Sequence, residues 1–124
     1  MRPHERLEVW QTVVEFVVRI YKETESFPKE ERFGLTSQIR RAAVSIAANI
    51  AEGAGRESTK EFNHFLSNAQ GSVSELATEL LIAHKLAFLT ADVYAKLTAT
   101  LDSIGRMIVG LARHLKKKAK AAQE

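Results

Sequence analysis

The residues in this sequence with the clearest chemical potential are cations, and most of them lie near its C-terminal end. No acidic residue occurs between Ser103 and Gln123, whereas six Lys and Arg residues do. Phosphates are attracted to such clusters chiefly through counterion release, so the pattern predicts salt-dependent nucleic-acid binding. No aromatic residues interleave with the cluster, so stacking of bases is not indicated. The candidate nucleic-acid-binding residues are Arg40, Arg41, Arg56, Lys60, Arg106, Arg113, Lys116, Lys117, Lys118 and Lys120.

The same cations also have a structural explanation. Lys and Arg at the C-terminal end of a helix complement its dipole, and a Lys-rich tail can serve solubility alone. The formal net charge of +3 and the isoelectric point of about 9.3 are only mildly basic. Neither value establishes a nucleic-acid partner, and the sequence does not distinguish RNA from DNA.

Other reactive side chains do not form a recognisable catalytic or metal-binding pattern. Glu61 and His64 make one E-x-x-H motif, whereas di-iron bundles use two copies with further glutamates. Gly53-Ala54-Gly55 resembles half of a phosphate-binding loop, but no strand precedes it. No Ser–His pair has a spacing that argues for activation. We therefore expect no enzymatic activity, no cofactor and no metal ion.

Two polar residues interrupt an otherwise apolar helix in the segment Ser37–Arg56. Asn49 lies near the predicted core stripe, so it is expected to bond another helix or to fix register across a subunit contact. Glu52 is expected to pair with Arg56 or with a cation of a neighbouring chain. The alternative is that both side chains are partly exposed near the helix end. A structural or interface role is favoured over ligand binding.

Composition limits the class of protein. The 124 residues suit one domain, and 45% hydrophobic with 27% charged residues is typical of a folded globular chain. The absence of cysteine excludes disulfides, thiolate metal sites and cysteine nucleophiles, and it fits a cytoplasmic location. No apolar run reaches the roughly 18 residues that a membrane span needs, and the first residues lack a signal-peptide pattern.

Hydrophobic periodicity predicts an all-α protein, an antiparallel up-and-down four-helix bundle occupying residues 1–124 as a single domain. The first helix carries an unusually wide apolar arc that includes Val13 and Val17. Part of this arc either faces a partner chain or is simply buried within one subunit. Phe33 and Leu35 are expected to plug one end of the core. The predicted helices span about residues 5–24, 35–52, 59–88 and 91–118.

Local signals at the helix ends support these boundaries. Gly53 and Gly55 are expected to end the second helix, because glycine accepts the left-handed backbone that finishes many helices. Ser58 and Glu61 have the spacing of a capping box at the start of the third helix. Thr90 is the expected cap of the fourth helix.

The segment Phe27–Arg56 resembles a family signature. It reads FPKEERFGLTSQIRRAAVSIAANIAEGAGR, is followed by STKEF, and is similar to the four-helix-bundle proteins related to the 23S rRNA intervening-sequence protein. One departure is Ala47, where the family commonly has proline. The resemblance implies a homopentamer of bacterial origin. The similar accessory variability proteins of diversity-generating retroelements imply binding to nucleic acid and to a reverse transcriptase.

Two functions from different classes follow from these observations. The first is a non-enzymatic, oligomeric module that binds RNA or DNA on basic surfaces. The second is a structural or protein–protein interaction bundle without a nucleic-acid role, which the wide apolar arc of the first helix favours.

Overall fold

The computed structural model describes residues 1–123, and Glu124, which the predicted domain included, lies outside the described residues. Short 3-10 turns precede the first helix at Pro3–Arg6 and the second at Lys29–Glu31. The described residues form four α-helices and no strand. The helices are α1 (Glu8–Thr24), α2 (Leu35–Ala54), α3 (Thr59–Lys85) and α4 (Ala91–Gln123).

Consecutive helices run in opposite directions and pack side by side. Each helix contacts its neighbour in the chain, most extensively α2 with α3, and α4 closes the arrangement against α1. The connections after α1 and after α3 meet at what we call the upper end, where the rings of Phe27 and Phe88 lie 5.5 Å apart. The lower end holds the connection between α2 and α3. The prediction of an antiparallel up-and-down four-helix bundle is confirmed.

The core lies along the axis of the bundle. Apolar residues recur every three or four positions in each helix, which places them on the inward face. Each fully buried aliphatic side chain contributes about 1.5–3 kcal/mol through removal from water. The largest fully buried side chains are Val13, Ile20, Ile39, Ile46, Ile50, Leu66, Leu76, Leu80, Leu97, Leu101, Ile104 and Ile108.

The wide apolar arc of α1 is divided between the core and the surface. Val13 has no exposed surface, so its assignment to a partner-facing surface is wrong, and it belongs to the core. Val17 is partly buried and packs against that core. Val18 and Tyr21 remain 50% and 41% exposed. The exposed apolar surface of α1 therefore includes Val18 and Tyr21 and excludes Val13.

The predicted N-terminal caps of α3 and α4 are both present. The Glu61 backbone N–H donates to Ser58 Oγ at 3.1 Å, and the Val93 N–H donates to Thr90 Oγ1 at 3.2 Å. Each bond satisfies one of the amide groups that a helix leaves unpaired in its first turn.

The glycines at the end of α2 act differently from the prediction. Gly55 has right-handed backbone geometry, with φ of −84°, and Gly53 is buried inside the helix. A β-carbon on Gly53 would lie 2.8 Å from Phe65 Cβ and 2.9 Å from Phe62 Cδ1. The predicted left-handed helix end is therefore wrong: Gly53 is small so that α3 can approach closely.

Two further expectations at the upper end are wrong. Phe33 is 89% exposed and plugs no part of the core, whereas Leu35 does pack against it. The third helix ends at Lys85 because Ala87 adopts φ of 63°. The N–H groups of Ala87 and Phe88 then donate to the carbonyls of His84 and Ala83, the pattern of a Schellman motif.

Candidate nucleic-acid interface

The cations predicted to bind nucleic acid occupy three different environments. Most lie along α4, from Arg106 to its end, and Lys60 stands in the first turn of α3 at the lower end. Arg40 and Arg41 are instead in the upper half of α2, and Arg56 is in the turn between α2 and α3. The structure therefore does not combine all ten residues in one surface.

Arg40 links two helices. Its Nε donates to Thr24 Oγ1 at 2.9 Å, one of its terminal nitrogens donates to the Tyr21 carbonyl at 3.2 Å, and its guanidinium lies 4.6 Å from the Tyr21 ring centre. The side chain thus caps the C-terminal end of α1. Two of the five guanidinium donors are used within the chain, so Arg40 has a structural role, and its assignment to a nucleic-acid surface stays a prediction.

Arg41 and Arg56 have acidic neighbours. Arg41 lines a groove between α2 and α3 that also holds Glu75. Arg56 pairs with Glu52 at 2.5 Å, as predicted for Glu52, and its guanidinium lies 4.8 Å from the Phe65 ring centre. These carboxylates offset positive charge that a phosphate would need, so neither arginine strengthens the candidate interface as much as the sequence indicates.

The remaining cations are not held in ion pairs, although Asp102 lines the same groove as Arg106, and Glu57 and Glu61 lie beside Lys60. Among residues 1–123, none of these cations has a carboxylate partner within ion-pair distance. Each is exposed to solvent. We call this set the basic face: it comprises Lys60, Arg106, Arg113, Lys116, Lys117, Lys118 and Lys120.

Two adjoining grooves between α3 and α4 border the basic face. The lower groove, of about 280 Å³, is lined by Asn63, Ser67, Arg113 and Lys116 together with apolar side chains. The upper groove, of about 580 Å³, is lined by Asp102, Arg106, Gly110 and Arg113 among others. Cations and neutral hydrogen-bonding groups therefore predominate in these two grooves, with Asp102 as an acidic exception, which suits contacts to phosphate and sugar oxygens.

Polar side chains of α3 contribute to these grooves, although the sequence analysis did not identify them. Gln70 Nε2 donates to the Gly105 carbonyl of α4 at 3.1 Å. Asn63 Oδ1 is buried and accepts no hydrogen bond within the described residues. The helical spacing of seven residues between Asn63 and Gln70 places them on one face of α3 and was the only available signal.

Asn49 lies in the seam between α2 and α3. Its Nδ2 donates to the Ser45 carbonyl at 2.9 Å and to Ser45 Oγ at 3.1 Å, and Ser45 Oγ lies 2.9 Å from Ser72 Oγ of α3. Asn49 therefore bonds its own helix, and Ser45 carries the contact to α3. A role for Asn49 in register between subunits stays a prediction.

One buried carboxylate was not anticipated from the sequence. Glu79 of α3 is only 6% exposed, and its Oε1 has no hydrogen-bond partner among residues 1–123. Burial, and secondarily the carboxylate of Glu75, raise the pKa of Glu79 to about 7. Glu79 lies three residues after Leu76 and four before Ala83, so helical spacing places it beside the core stripe. A carboxylate at such a position is ordinarily exposed, so its burial was not predicted.

Within residues 1–123, no three His, Asp or Glu side chains are grouped as a metal site requires. Glu61 is exposed, and its backbone N–H joins the cap of α3. None of the helices formed by these residues combines the length and apolar character needed to cross a lipid bilayer.

Comparison with known proteins places this bundle in a family. The sequence pattern of the 23S rRNA-intervening sequence protein matches residues 5–110. The chain belongs to that family. A crystal structure of a protein of unknown function from the S23 ribosomal protein family of Bacteroides thetaiotaomicron VPI-5482 is similar, with a TM-score of 0.76 and 25% sequence identity. The alignment covers 84% of this chain and 97% of that one. No curated protein sequence matches the chain.

The extent of the family match matters for the candidate interface. It ends at residue 110, before Arg113 and the four lysines that follow. Membership of the 23S rRNA-intervening sequence protein family therefore accounts for the bundle, including Arg106 and Lys60, but supplies no expectation about the basic end of α4.

Proposed function

We propose that this protein is a non-enzymatic module that binds nucleic acid through the basic face. The observation that carries the proposal is the absence of any carboxylate partner for these seven cations among residues 1–123. A nucleic acid carries a layer of condensed cations, and Lys and Arg side chains that neutralise its phosphates release those cations with a gain in entropy. The adjacent grooves supply neutral donors for sugar and phosphate oxygens.

The proposal is tested by titrating labelled RNA and DNA with the protein at different salt concentrations. Affinity is expected to fall steeply between about 50 mM and about 200 mM salt, in proportion to the number of phosphates contacted. The double variant Arg106→Gln/Arg113→Gln removes two cations from the basic face. Its salt dependence is expected to decrease by about one unit of slope for each lost phosphate contact.

A matched control tests whether binding depends on the basic face or only on the total number of positive charges. Lys22→Gln/Lys85→Gln also removes two exposed cations, but from the upper end of the bundle. It is expected to bind nucleic acid almost as well as the unchanged protein. No binding at low salt, or equal losses in both double variants, would contradict the proposal.

We further propose that the protein acts as a homopentamer, as the family resemblance implies. Five basic faces in one particle would multiply weak phosphate contacts by avidity, which makes a modest surface sufficient. Light scattering tests the assembly: a pentamer has five times the 13.8 kDa mass of the chain. A reverse transcriptase is the protein partner implied by the same resemblance, and co-purification with such an enzyme tests it.

A second candidate function is a protein-interaction bundle without a nucleic-acid role. Its support is the apolar surface of α1, where Val18 and Tyr21 are 50% and 41% exposed. Val18→Glu places a charge on this surface without entering the core. A reduced particle mass with unchanged helicity, in a protein that binds no nucleic acid at low salt, would favour this function over the first. An unchanged mass would remove its support.

A further inference from the structure

The end of α4 extends beyond the level at which α3 begins. The bond from Gln70 to the Gly105 carbonyl fixes the relative height of α3 and α4. Thr59, where α3 begins, lies 11 residues before Gln70, and Lys116 lies 11 residues after Gly105. Residues 117–123 are therefore beyond the level at which α3 begins, a projection of about 10 Å.

This projecting segment makes no contribution to the core. Leu115 is the last residue of α4 that packs against the buried cluster. Every residue from 117 to 123 is exposed except Ala119, which is partly buried. The projecting segment is thus a helix of about two turns with solvent on nearly all sides.

Lysines surround the projecting segment and the turn before it. Successive residues of a helix are rotated by about 100°, so Lys116 and Lys118 point in nearly opposite directions. Lys117 lies between them, and Lys120 follows Lys116 by one turn. A helix that rests on one strand of phosphates needs cations on one face only. Cations on opposite faces suit a helix that lies between two rows of phosphates.

Resting on the proposed function, we infer that the projecting segment of α4 enters the major groove of duplex DNA. An α-helix with its side chains is about 10–12 Å across, and the major groove of B-form DNA is about 12 Å wide. The major groove of an A-form RNA duplex is deep and narrow and does not admit a helix. Phosphates on the two walls of the groove then face Lys116 and Lys118, and the long side chain of Lys117, which lies between them, reaches one wall or the other.

The same segment has few groups that read bases and none that suits a single strand. Ala119, Ala121 and Ala122 offer base edges only methyl contacts, and within residues 117–123 Gln123 alone carries the paired donor and acceptor that suit adenine. The segment has no aromatic side chain on which an unpaired base would stack. The inferred ligand is therefore double-stranded DNA, bound mainly through its phosphates.

Three labelled ligands of equal phosphate number test the inference by fluorescence anisotropy. They are a DNA duplex of about 25 base pairs, an RNA duplex of the same sequence, and single-stranded DNA. The DNA duplex is expected to bind at least about tenfold more tightly than either alternative at moderate salt. A fourth ligand, the DNA duplex with bulky C5 substituents on its pyrimidines, fills the major groove and is expected to lose that advantage.

Variants in the projecting segment provide the residue-level test. Lys117→Gln/Lys118→Gln is expected to reduce the salt-dependence slope for duplex DNA by about two, with unchanged thermal unfolding. The upper-end control Lys22→Gln/Lys85→Gln is expected to leave the slope nearly unchanged.

The outcomes distinguish this inference from the proposed function. Equal affinity for the RNA and DNA duplexes, or for the groove-filled and unmodified DNA, overturns the major-groove inference while nucleic-acid binding stands. No binding to any of the four ligands at low salt overturns both.

Discussion

Two seams of the bundle use the same kinds of residue for opposite purposes. In the seam between α2 and α3, Phe62 and Phe65 occupy the space beside Gly53, and Ser45 Oγ lies 2.9 Å from Ser72 Oγ. In the seam between α3 and α4, a β-carbon on Gly110 would meet nothing within 4 Å. Glycine thus brings two helices together in one seam and leaves a groove open in the other.

The difference separates architecture from available surface. The α2–α3 seam includes most of the segment that carries the family signature, and Ser45, Asn49 and Ser72 bond one another there. Its one buried carboxylate, Glu79, leaves Oε1 without a partner among residues 1–123. The α3–α4 seam leaves Asn63 Oδ1 without a partner among residues 1–123, and its walls carry Arg106 and Arg113. A ligand surface is therefore better sought in the second seam than in the more distinctive sequence of the first.

Gly53→Ala tests the tight seam and has the largest expected effect. Its new methyl group would overlap Phe65 Cβ, which cannot rotate away, so we expect a loss of about 2 kcal/mol in the free energy of unfolding. Urea denaturation measures it. Gly71→Ala in α3 meets nothing within 4 Å and serves as the control, with an expected gain of up to about 1 kcal/mol. Equal stability of the two variants would show that α3 has room to move.

Glu79→Gln tests the electrostatics of the α2-facing side of α3. Because the pKa of Glu79 is raised from 4.5 to about 7, the folded state retains a proton that the unfolded state releases between those values. The resulting stability is complete below pH 4.5 and is lost as the pH rises through about 7. At about pH 8 the variant is expected to be more stable by about 1–2 kcal/mol.

Chemical denaturation at a series of pH values measures this effect. The difference between Glu79→Gln and the unchanged protein is expected to grow between pH 4.5 and about 7 and then to remain constant. Parallel stability profiles across that range would mean that the Glu79 carboxylate is well solvated in the folded protein.

Ser72→Ala removes the polar contact between α2 and α3. Ser45 Oγ keeps its bond from Asn49 Nδ2 at 3.1 Å, so the expected loss is limited to about 1 kcal/mol. Thermal unfolding compares this variant with Ser74→Ala, an exposed serine on the same helix that should be nearly neutral. A neutral Ser72→Ala would mean that apolar packing alone sets the register of this seam.

Gly110→Ala tests the open seam and has the smallest expected effect. Alanine is preferred in a helix interior, and the added methyl group meets nothing within 4 Å, so stability should rise by about 0.5–1 kcal/mol. Thermal unfolding measures it. A loss of stability would instead reveal that another molecule packs against α4 at this position.

The sequence predicted the fold well because helical periodicity and capping are local signals. Four apolar stripes and the caps at Ser58 and Thr90 placed every helix, with errors confined to helix ends. The fourth helix continues past residue 118 because Lys, Ala and Gln all favour helix, even where no packing supports it. The third ends early because Ala87 adopts a backbone conformation that its residue type does not signal.

The candidate site was predictable only in part, since it depends on which side chains meet. Arg40 and Arg106 are equally basic in the sequence, yet one caps α1 while the other faces solvent. Likewise, Val13 and Val18 both belong to the apolar helix α1, but they lie on different faces of it. Only Val13 faces the core and is buried. Such differences arise from long-range packing, which a single sequence does not specify.

The exposure of Phe33 has a practical consequence for spectroscopy. The chain has no cysteine, so Phe33→Cys would introduce a unique thiol at a side chain that is 89% exposed. This position is in the connection between α1 and α2, at the opposite end of the bundle from the projecting lysines of α4. A fluorophore attached there would report rotational diffusion and energy transfer without touching the surface on which a nucleic acid is expected to bind.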